Sequence, residues 1–596
     1  MAGKLLQCLM LLCLALACYG YLRLFMRSFR LPPEFALVSF LSALALTLFA
    51  AGCLGLLLPA SWLLLALGAA LGLLSLLRRE SLRPLCTLGM LLWLLLSGLS
   101  LYLVFGQKFY YVDDFSHWAT AVKTLLENDA FPTTADKLIY FPDYPLGSSV
   151  LIYWFARMSG INSEWFQMLV QAVYISACLA LPAVFIPGGG RKTGAFGLLL
   201  WAAAAFGILG ANIELTSLYV DTLLPLAGLA GVWLHLYSRD LERPAFLPLL
   251  ILCCYTVTVK ESGIFFAAVI IVLALLDSRD KKTGLKHGAL LALGTAAFKL
   301  LWSVHYRLTF GGGTSDGFEL SLAGLFPGYA DKLPGDVQTI AAGMLETLCR
   351  PETLLPTLTL LVVALLIGMG GENRRRHVKL CLMGLAFYLV YCLGQGAMYI
   401  LFMPRGEAVR LAAFDRYFAS IQIFLAGYLL VPELMALKDG GGSPGFRRGL
   451  ALLCAMLSLL VLSPQGKYFV RTEKRVPCFL VETDELLDLD WARETGKPEF
   501  WASIRSEYDR VIEQCKIPQG LTYTVFIGED YGIEVRVLTN YLLSSAGTYV
   551  VTDEMLRSGQ DLDVSYEYYI ILEETQANTA FVREHYGKTD RAAYTY

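Results

Sequence analysis

The stretch FYYVDDFSHWATAVKTL, Phe109 to Leu125, sets two adjacent carboxylates, Asp113 and Asp114, ahead of His117 and Trp118. Upstream of it the only acidic residues are Glu34 and Glu80. Adjacent carboxylates repel, so either one of the pair titrates high or a cation holds both. A carboxylate kept at the edge of an apolar phase is what a general base for an acceptor hydroxyl requires. The apolar positions Phe115, Trp118, Ala119, Val122, Leu125 and Leu126 read as one face of a helix that Asp113 or Asp114 can cap. His117, three or four residues after the acids, shares their face, and Trp118 suits a membrane surface. Capping and solvation at a membrane exit would account for the same two acids without chemistry.

A second polar group lies far along the chain, in MYILFMPRGEAVRLAAFDRYFASIQ. It holds Arg405, Glu407, Arg410, Asp415, Arg416 and Tyr417. The planar guanidinium fork matches a phosphate, and Arg416 opens an apolar run, at the depth of a lipid headgroup. Anchoring to headgroups is the plainer role for the same arginines. Asp221, in TSLYVDTLL with Glu214 seven residues before it, is either a cap or a site carboxylate at a span end. Lys260 and Glu261, in VKESG, either pair with each other or face a site. His305 and Arg307 end another apolar run and carry little signal.

The elements that must position these groups are apolar. Of 596 residues, 56% are hydrophobic and 16% charged, against about 25% charged in soluble domains, and the mean hydropathy is +0.56. With runs near the roughly 20 residues that cross a bilayer, the chain reads as an α-helical polytopic membrane protein. Its expected spans are 5–26, 35–58, 62–77, 84–106, 164–187, 194–210, 218–237, 245–258, 261–277, 288–305, 354–370, 379–402, 416–436 and 449–464, about 14 in all. The first reads as a retained helix rather than a signal peptide, for want of a strong basic n-region and a small-residue cleavage site. Threading these spans in order puts the Lys- and Arg-rich connections, among them Arg239/Arg243, Arg279 to Lys286 and Arg374 to Lys379, on one side, the cytoplasmic one by charge. The segments 107–163, 211–217, 306–353, 403–415 and the tail then lie outside, and Leu151 to Met158 reads as an interfacial helix in the outer leaflet.

Residues 1–464 thus form a transmembrane domain, and 465–596 a small extracytoplasmic α/β domain. In the latter TYTVFIGED, VRVLTNYLL, TYVVT and YEYYIILEE read as strands and WASIRSEYDRVIEQC as a helix. Most of the 14 cysteines sit in apolar spans as small hydrophobes, while Cys478 and Cys515 could pair in an extracytoplasmic tail. The chain has no long basic tract, so nucleic acid is not an expected partner.

An acidic pair after an early span, in a long outer loop, resembles the GT-C superfamily of integral-membrane glycosyltransferases, which includes the protein O-mannosyltransferases and the lipid A aminoarabinose transferases. The VDDFSHWA, FPDYPLGSS, VKESG and EAVRLAAFDRYF stretches carry the resemblance, over roughly 84–436. It implies a GT-C-like bundle in the plasma membrane and an inverting transfer of a hexose or pentose from a polyprenyl-phosphate-linked donor to a glycan, lipid or protein acceptor, as in assembly of a cell-wall glycopolymer. It makes Asp113 the base and Asp114 its positioning or cation-binding neighbour, with Arg405, Arg410 or Arg416 on the donor phosphate. His117, Trp118, Lys260, Glu261, Glu407 and Tyr417 complete the expected substrate site, and Asp113 with Asp114 would hold any divalent cation, Mg²⁺ or Mn²⁺. The chain departs from the superfamily pattern in having several spans before the acidic loop and Asp, where Glu is common, as the second acid. A flippase or transporter, or a polymerase or ligase, of lipid-linked saccharides is the alternative class.

Overall fold

The computed structural model describes residues 2–136, 139–188, 191–210, 215–239, 245–311, 329–368, 373–438, 449, 498–528, 534–558, 562 and 565–595. The chain packs as two units, one of 1–105, 143–215 and 219–474, the other of 106–142, 216–218 and 475–596. Packing therefore groups the acidic loop with the C-terminal segment, where composition grouped it with the membrane portion.

The first unit is helical. Seven helices are long and apolar enough to cross a membrane: Lys4–Ser28, Pro33–Cys53, Leu57–Leu77, Glu164–Phe185, Lys281–Phe310, Arg374–Leu401 and Phe414–Lys438. Shorter apolar helices are Leu88–Val104, Thr193–Ala205, Leu223–Ser238, Phe246–Val259 and Gly263–Leu276, and a bent pair, Pro334–Cys349 and Thr353–Gly368, turns by 61°. Each expected span except 449–464, of which only residue 449 is described, coincides with one of these helices. Helices apolar on every side belong in a core or a membrane, and Pro33–Cys53 and Phe414–Lys438 are buried along most of their length.

Close helix contact is made by small residues. A Cβ on Gly20 would lie 2.2 Å from the Gly68 carbonyl oxygen, and one on Gly72 2.2 Å from that of Leu16. The helices Ala2–Ser28 and Leu57–Leu77 thus touch backbone to backbone through a Gly-x-x-x-Gly spacing. Tyr21 donates to the Leu64 carbonyl at 2.7 Å across the same seam.

Two expectations change here. The helix Gly147–Ser159 is not interfacial: Tyr153 and Trp154 are fully buried, and Trp154 Nε1 donates to the Ser61 carbonyl at 3.1 Å. A short aromatic helix can satisfy its apolar surface against other helices as well as against lipid, and here it does so against helices. The helix expected from 218 begins at Leu223, so Asp221 stands in the irregular stretch before it.

An ion cluster closes one end of the bundle. Asp277, just past Gly263–Leu276, is 3% exposed. Arg376 donates to it twice, at 2.8 and 3.3 Å. Arg239 lies 3.4 Å and His235 3.8 Å from the same carboxylate. Three connections that the charge pattern put on one side therefore meet in space.

In the second unit a four-stranded sheet runs in the order β2-β1-β3-β4, with β1 Thr522–Ile527, β2 Gly547–Thr552, β3 Tyr568–Ile571 and β4 Ala592–Tyr594. Strand β1 pairs parallel to β2 and β3, and β4 closes antiparallel on β3. Phe526, Val551, Tyr569, Ile571 and Val582 form a core against it. The run VRVLTNYLL, expected as a strand, is the helix Glu534–Leu543. Its apolar residues satisfy both periods: Val535, Val537 and Tyr541 alternate, while Val535, Leu538 and Leu542 follow a helical stripe. A run this short does not decide between them, and the crossover between parallel strands β1 and β2 is usually made by a helix. Cys515 carries a free thiol, and Cys478 lies outside the described residues.

The glycine seam gives a direct test. Gly72→Leu should lower the thermal stability of detergent-solubilised protein by roughly 1–3 kcal/mol or more, because added side-chain volume forces two backbones apart. A Gly72→Leu variant as stable as wild type would remove the seam.

Candidate functional site

The end of the bundle away from Asp277 is built around a second buried carboxylate. The helix Leu223–Ser238 carries Arg239 at its C-terminal cap, and Asp221 precedes its N-cap Thr222. Its 16 residues separate the two clusters by about 24 Å. Lys260, the extended residue that ends Phe246–Val259, donates to Asp221 Oδ1 at 3.0 Å. Arg416, in the first turn of Phe414–Lys438, places Nε 3.4 Å from Oδ2. Ser420, one turn further on, donates to the Asp221 carbonyl at 2.9 Å. Three helices that are remote in sequence are thus tied to one acid.

Aromatic rings surround the cations. The Arg416 guanidinium lies 4.6 Å from the Tyr219 ring centre and 5.4 Å from that of Tyr417, and the Lys260 ammonium 4.9 Å from Tyr417. Tyr391 donates to the Tyr417 carbonyl at 3.2 Å. Cation–π contacts of this kind hold a charged head in place without neutralising it.

The burial gradient determines what the cluster can do. The side chains of Asp221, Lys260 and Arg416 are 4%, 11% and 19% exposed. The carboxylate is the most buried of the three, and the two cations keep somewhat more exposure. Burial raises the Asp221 carboxyl, but Lys260 and Arg416 together outweigh it and hold the group below the usual carboxylate range. The stabilisation from that ionised state is complete above about pH 3.9 and is lost only as pH falls through the lower folded value.

The backbone entering Arg416 is strained. Leu411 and Ala413 both have φ in the left-handed region, 52° and 58°, which non-glycine residues rarely adopt and which clusters at functional sites. Tyr399 donates to the Ala412 carbonyl between them.

The other residues expected at this site lie elsewhere. Arg405 pairs with Asp336 at 2.5 Å, and its amide donates to Asp331. Glu407 and Arg410 are exposed, on and just after the short helix Arg405–Val409. Glu261 pairs with Lys299 and not with its neighbour Lys260. His305 Nδ1 sits 3.2 Å from the Cys53 carbonyl, Arg307 is exposed, and Glu214 lies outside the described residues. Tyr219, Tyr391 and Ser420 were not singled out from the sequence. Tyr219 stands two residues from Asp221, and that proximity is the only signal that could have found it.

In the second unit the acidic pair occupies an unusual turn. The chain is π-helical over Asp114–Trp118 and continues as the helix Ala119–Asn128. The Ala119 amide donates to the Asp114 carbonyl, five residues back, and the Thr120 hydroxyl to that of Phe115. Such single-turn bulges are rare in helices and concentrate at functional sites. The widened turn splits the pair. Asp113 is half-buried. Asp114 is fully buried, with Oδ1 accepting the Leu218 amide at 3.0 Å. His117 is 1% exposed, against the edges of Trp118 at 4.6 Å and Phe141 at 6.3 Å.

Among the described residues no three His, Cys, Asp or Glu side chains converge as a metal site would require. Asp114 Oδ1 is taken by the Leu218 amide, and no step below uses a cation. Comparison with family models, with curated proteins and with solved structures returns no match.

Asp221→Asn leaves Lys260 and Arg416 facing each other across a neutral amide. Loss of one partner from a buried ion pair costs about 3–5 kcal/mol, to be read as loss of thermal stability. Adding Arg416→Met to that variant should recover part of the loss, because it removes one of the stranded charges. Purely additive losses in the double variant would show that the three groups are not coupled.

Proposed function

We propose that this chain is a membrane glycosyltransferase that moves a hexose or pentose from a polyprenyl-phosphate-type lipid donor to an acceptor on the extracytoplasmic face of the plasma membrane. The observation that carries the reading is the cationic cluster at one end of the bundle: Lys260 and Arg416, held by a buried acid and flanked by tyrosines. Of the three candidate arginines, Arg416 alone has these surroundings, since Arg405 is committed to Asp336. Asp113 and Arg416 belong to different units, so each role is argued from its own unit.

In the first unit, Lys260 and Arg416 are the groups offered to a lipid-borne phosphate. In the second unit, Asp113 is the group offered to the proton of an acceptor hydroxyl. The proposed transfer itself forms a bond from that hydroxyl oxygen to the anomeric carbon with inversion, while the bond from that carbon to the phosphate oxygen breaks and the leaving polyprenyl phosphate keeps the electron pair. Asp114 has a supporting role, fixing the 216–218 stretch through its amide contact. The full span count of about 14, the cytoplasmic assignment of the Asp277 end and the outer location of the acceptor site are parts of this proposal.

The placement of Asp221, Asp277 and Glu34 favours it over a transporter of lipid-linked saccharides, although Glu433 is buried within Phe414–Lys438. Transporters gather binding groups near the bilayer midplane, on discontinuous helices. Asp221 and Asp277 stand at helix boundaries, and Glu34 lies in the first turn of Pro33–Cys53.

Asp113→Asn keeps the size of the side chain and removes its basicity. Release of polyprenyl phosphate from a lipid-linked sugar should fall about 10²–10⁴-fold, with expression and donor binding near wild type. Undiminished turnover would sink the base assignment. Loss of folded protein would favour the capping role of the acidic pair.

A further inference from the structure

The helix behind Asp113 has too little of its own to be ordered. Ala119–Asn128 is ten residues long, and isolated helices under about 12–15 residues are marginal in water. Its order must come from tertiary contacts, and within the second unit those contacts converge on one side chain of the C-terminal α/β domain.

Tyr541, in Glu534–Leu543, is that side chain. Its ring centre lies 5.2 Å from that of Phe115, the residue after the acidic pair, and 6.3 Å from that of Phe109, before it. Lys123 places its ammonium 5.3 Å from the same ring and donates to the Tyr541 carbonyl. The buried Arg505, in Pro498–Cys515, lies over Phe115 at 5.8 Å and over Tyr541 at 6.0 Å. Outer contacts flank this centre: Lys108 pairs with Asp509 at 2.7 Å, and Arg536 lies 5.9 Å from the Tyr140 ring. Aromatic residues on both sides of Asp113 and Asp114 are thus gripped by one tyrosine, while the loop's lysines are held by the domain at either end of the turn.

We propose that the C-terminal α/β domain is the positioning element of the acidic turn, and that Tyr541 is the positioning residue through which it acts. The domain does not touch the reacting atoms in this account. It supplies the packing that holds the π turn, and so Asp113, in one conformation. Its effect on turnover rests on the glycosyltransferase reading; its effect on the order of the loop does not.

The experiment uses the full-length protein in nanodiscs, with amide hydrogen exchange read on peptides covering 109–128 and on strands β1 and β3. Tyr541→Ala and, on the loop side, Lys123→Met should each speed exchange in 109–128 by about tenfold or more while β1 and β3 stay protected. Turnover of a lipid-linked sugar should fall by about tenfold with donor KM held within about twofold, the pattern of a lost catalytic geometry rather than lost binding. Tyr541→Phe, which keeps the ring, should match wild type in both readouts. If Tyr541→Ala also exposes β1 and β3, Lys123→Met decides. Unchanged exchange in 109–128 in a variant with protected strands overturns the proposal. A wild-type protein without transferase activity overturns the functional reading alone, and the exchange result still judges the positioning role.

Discussion

Asp221 is a full negative charge that the bundle must keep out of water. A buried carboxylate is tolerated only if cations and donors surround it. Meeting that need draws together the stretch before Leu223, the end of Phe246–Val259 and the start of Phe414–Lys438. The same arrangement leaves Lys260 and Arg416 pre-aimed, with their orientation already fixed before any ligand arrives. Preorganised charge of this kind is what a site for a developing phosphate leaving group needs.

The other end of the bundle meets the same need. Asp277 is held by Arg376 through two hydrogen bonds, with Arg239 and His235 beside it, and its two arginines, 19% and 21% exposed, are no more buried than Arg416. Aromatic rings lie over both cations at the Asp221 end. These rings, more than the ion pairs as such, are why the Asp221 end is proposed as the functional one.

How far the sequence could be read depends on the distance over which each feature is encoded. The helices follow from local apolarity, and the helix found at each expected span that is described reflects that. The sheet was legible at TYTVFIGED, TYVVT and YEYYIILEE, but VRVLTNYLL satisfies two periodicities and only its crossover role decides it. Asp113 and Asp114 stand out as an adjacent pair. Their separation into a half-buried and a fully buried acid was not legible, because a π turn has no residue signature and the Leu218 amide that takes Asp114 is about a hundred residues away. Lys260 and Glu261 look like natural partners in sequence; each instead finds a charge brought near by tertiary packing, Asp221 or Lys299. The importance of Asp221 was hidden for the same reason. The alternation of apolar and polar residues shows which face is buried, but not which distant cation will meet a lone carboxylate.

The central proposal, that the Lys260–Arg416 cluster receives a lipid-borne phosphate, is tested most directly by native mass spectrometry of the full-length protein with a polyprenyl phosphate and with the corresponding polyprenol. The account expects the phosphate to be retained and the alcohol lost, with Arg416→Lys weakening retention of the phosphate by about tenfold or more, as the loss of a charge-assisted contact of roughly 1.5–3 kcal/mol requires. Equal retention of phosphate and alcohol, or a phosphate affinity indifferent to Arg416→Lys, would contradict it.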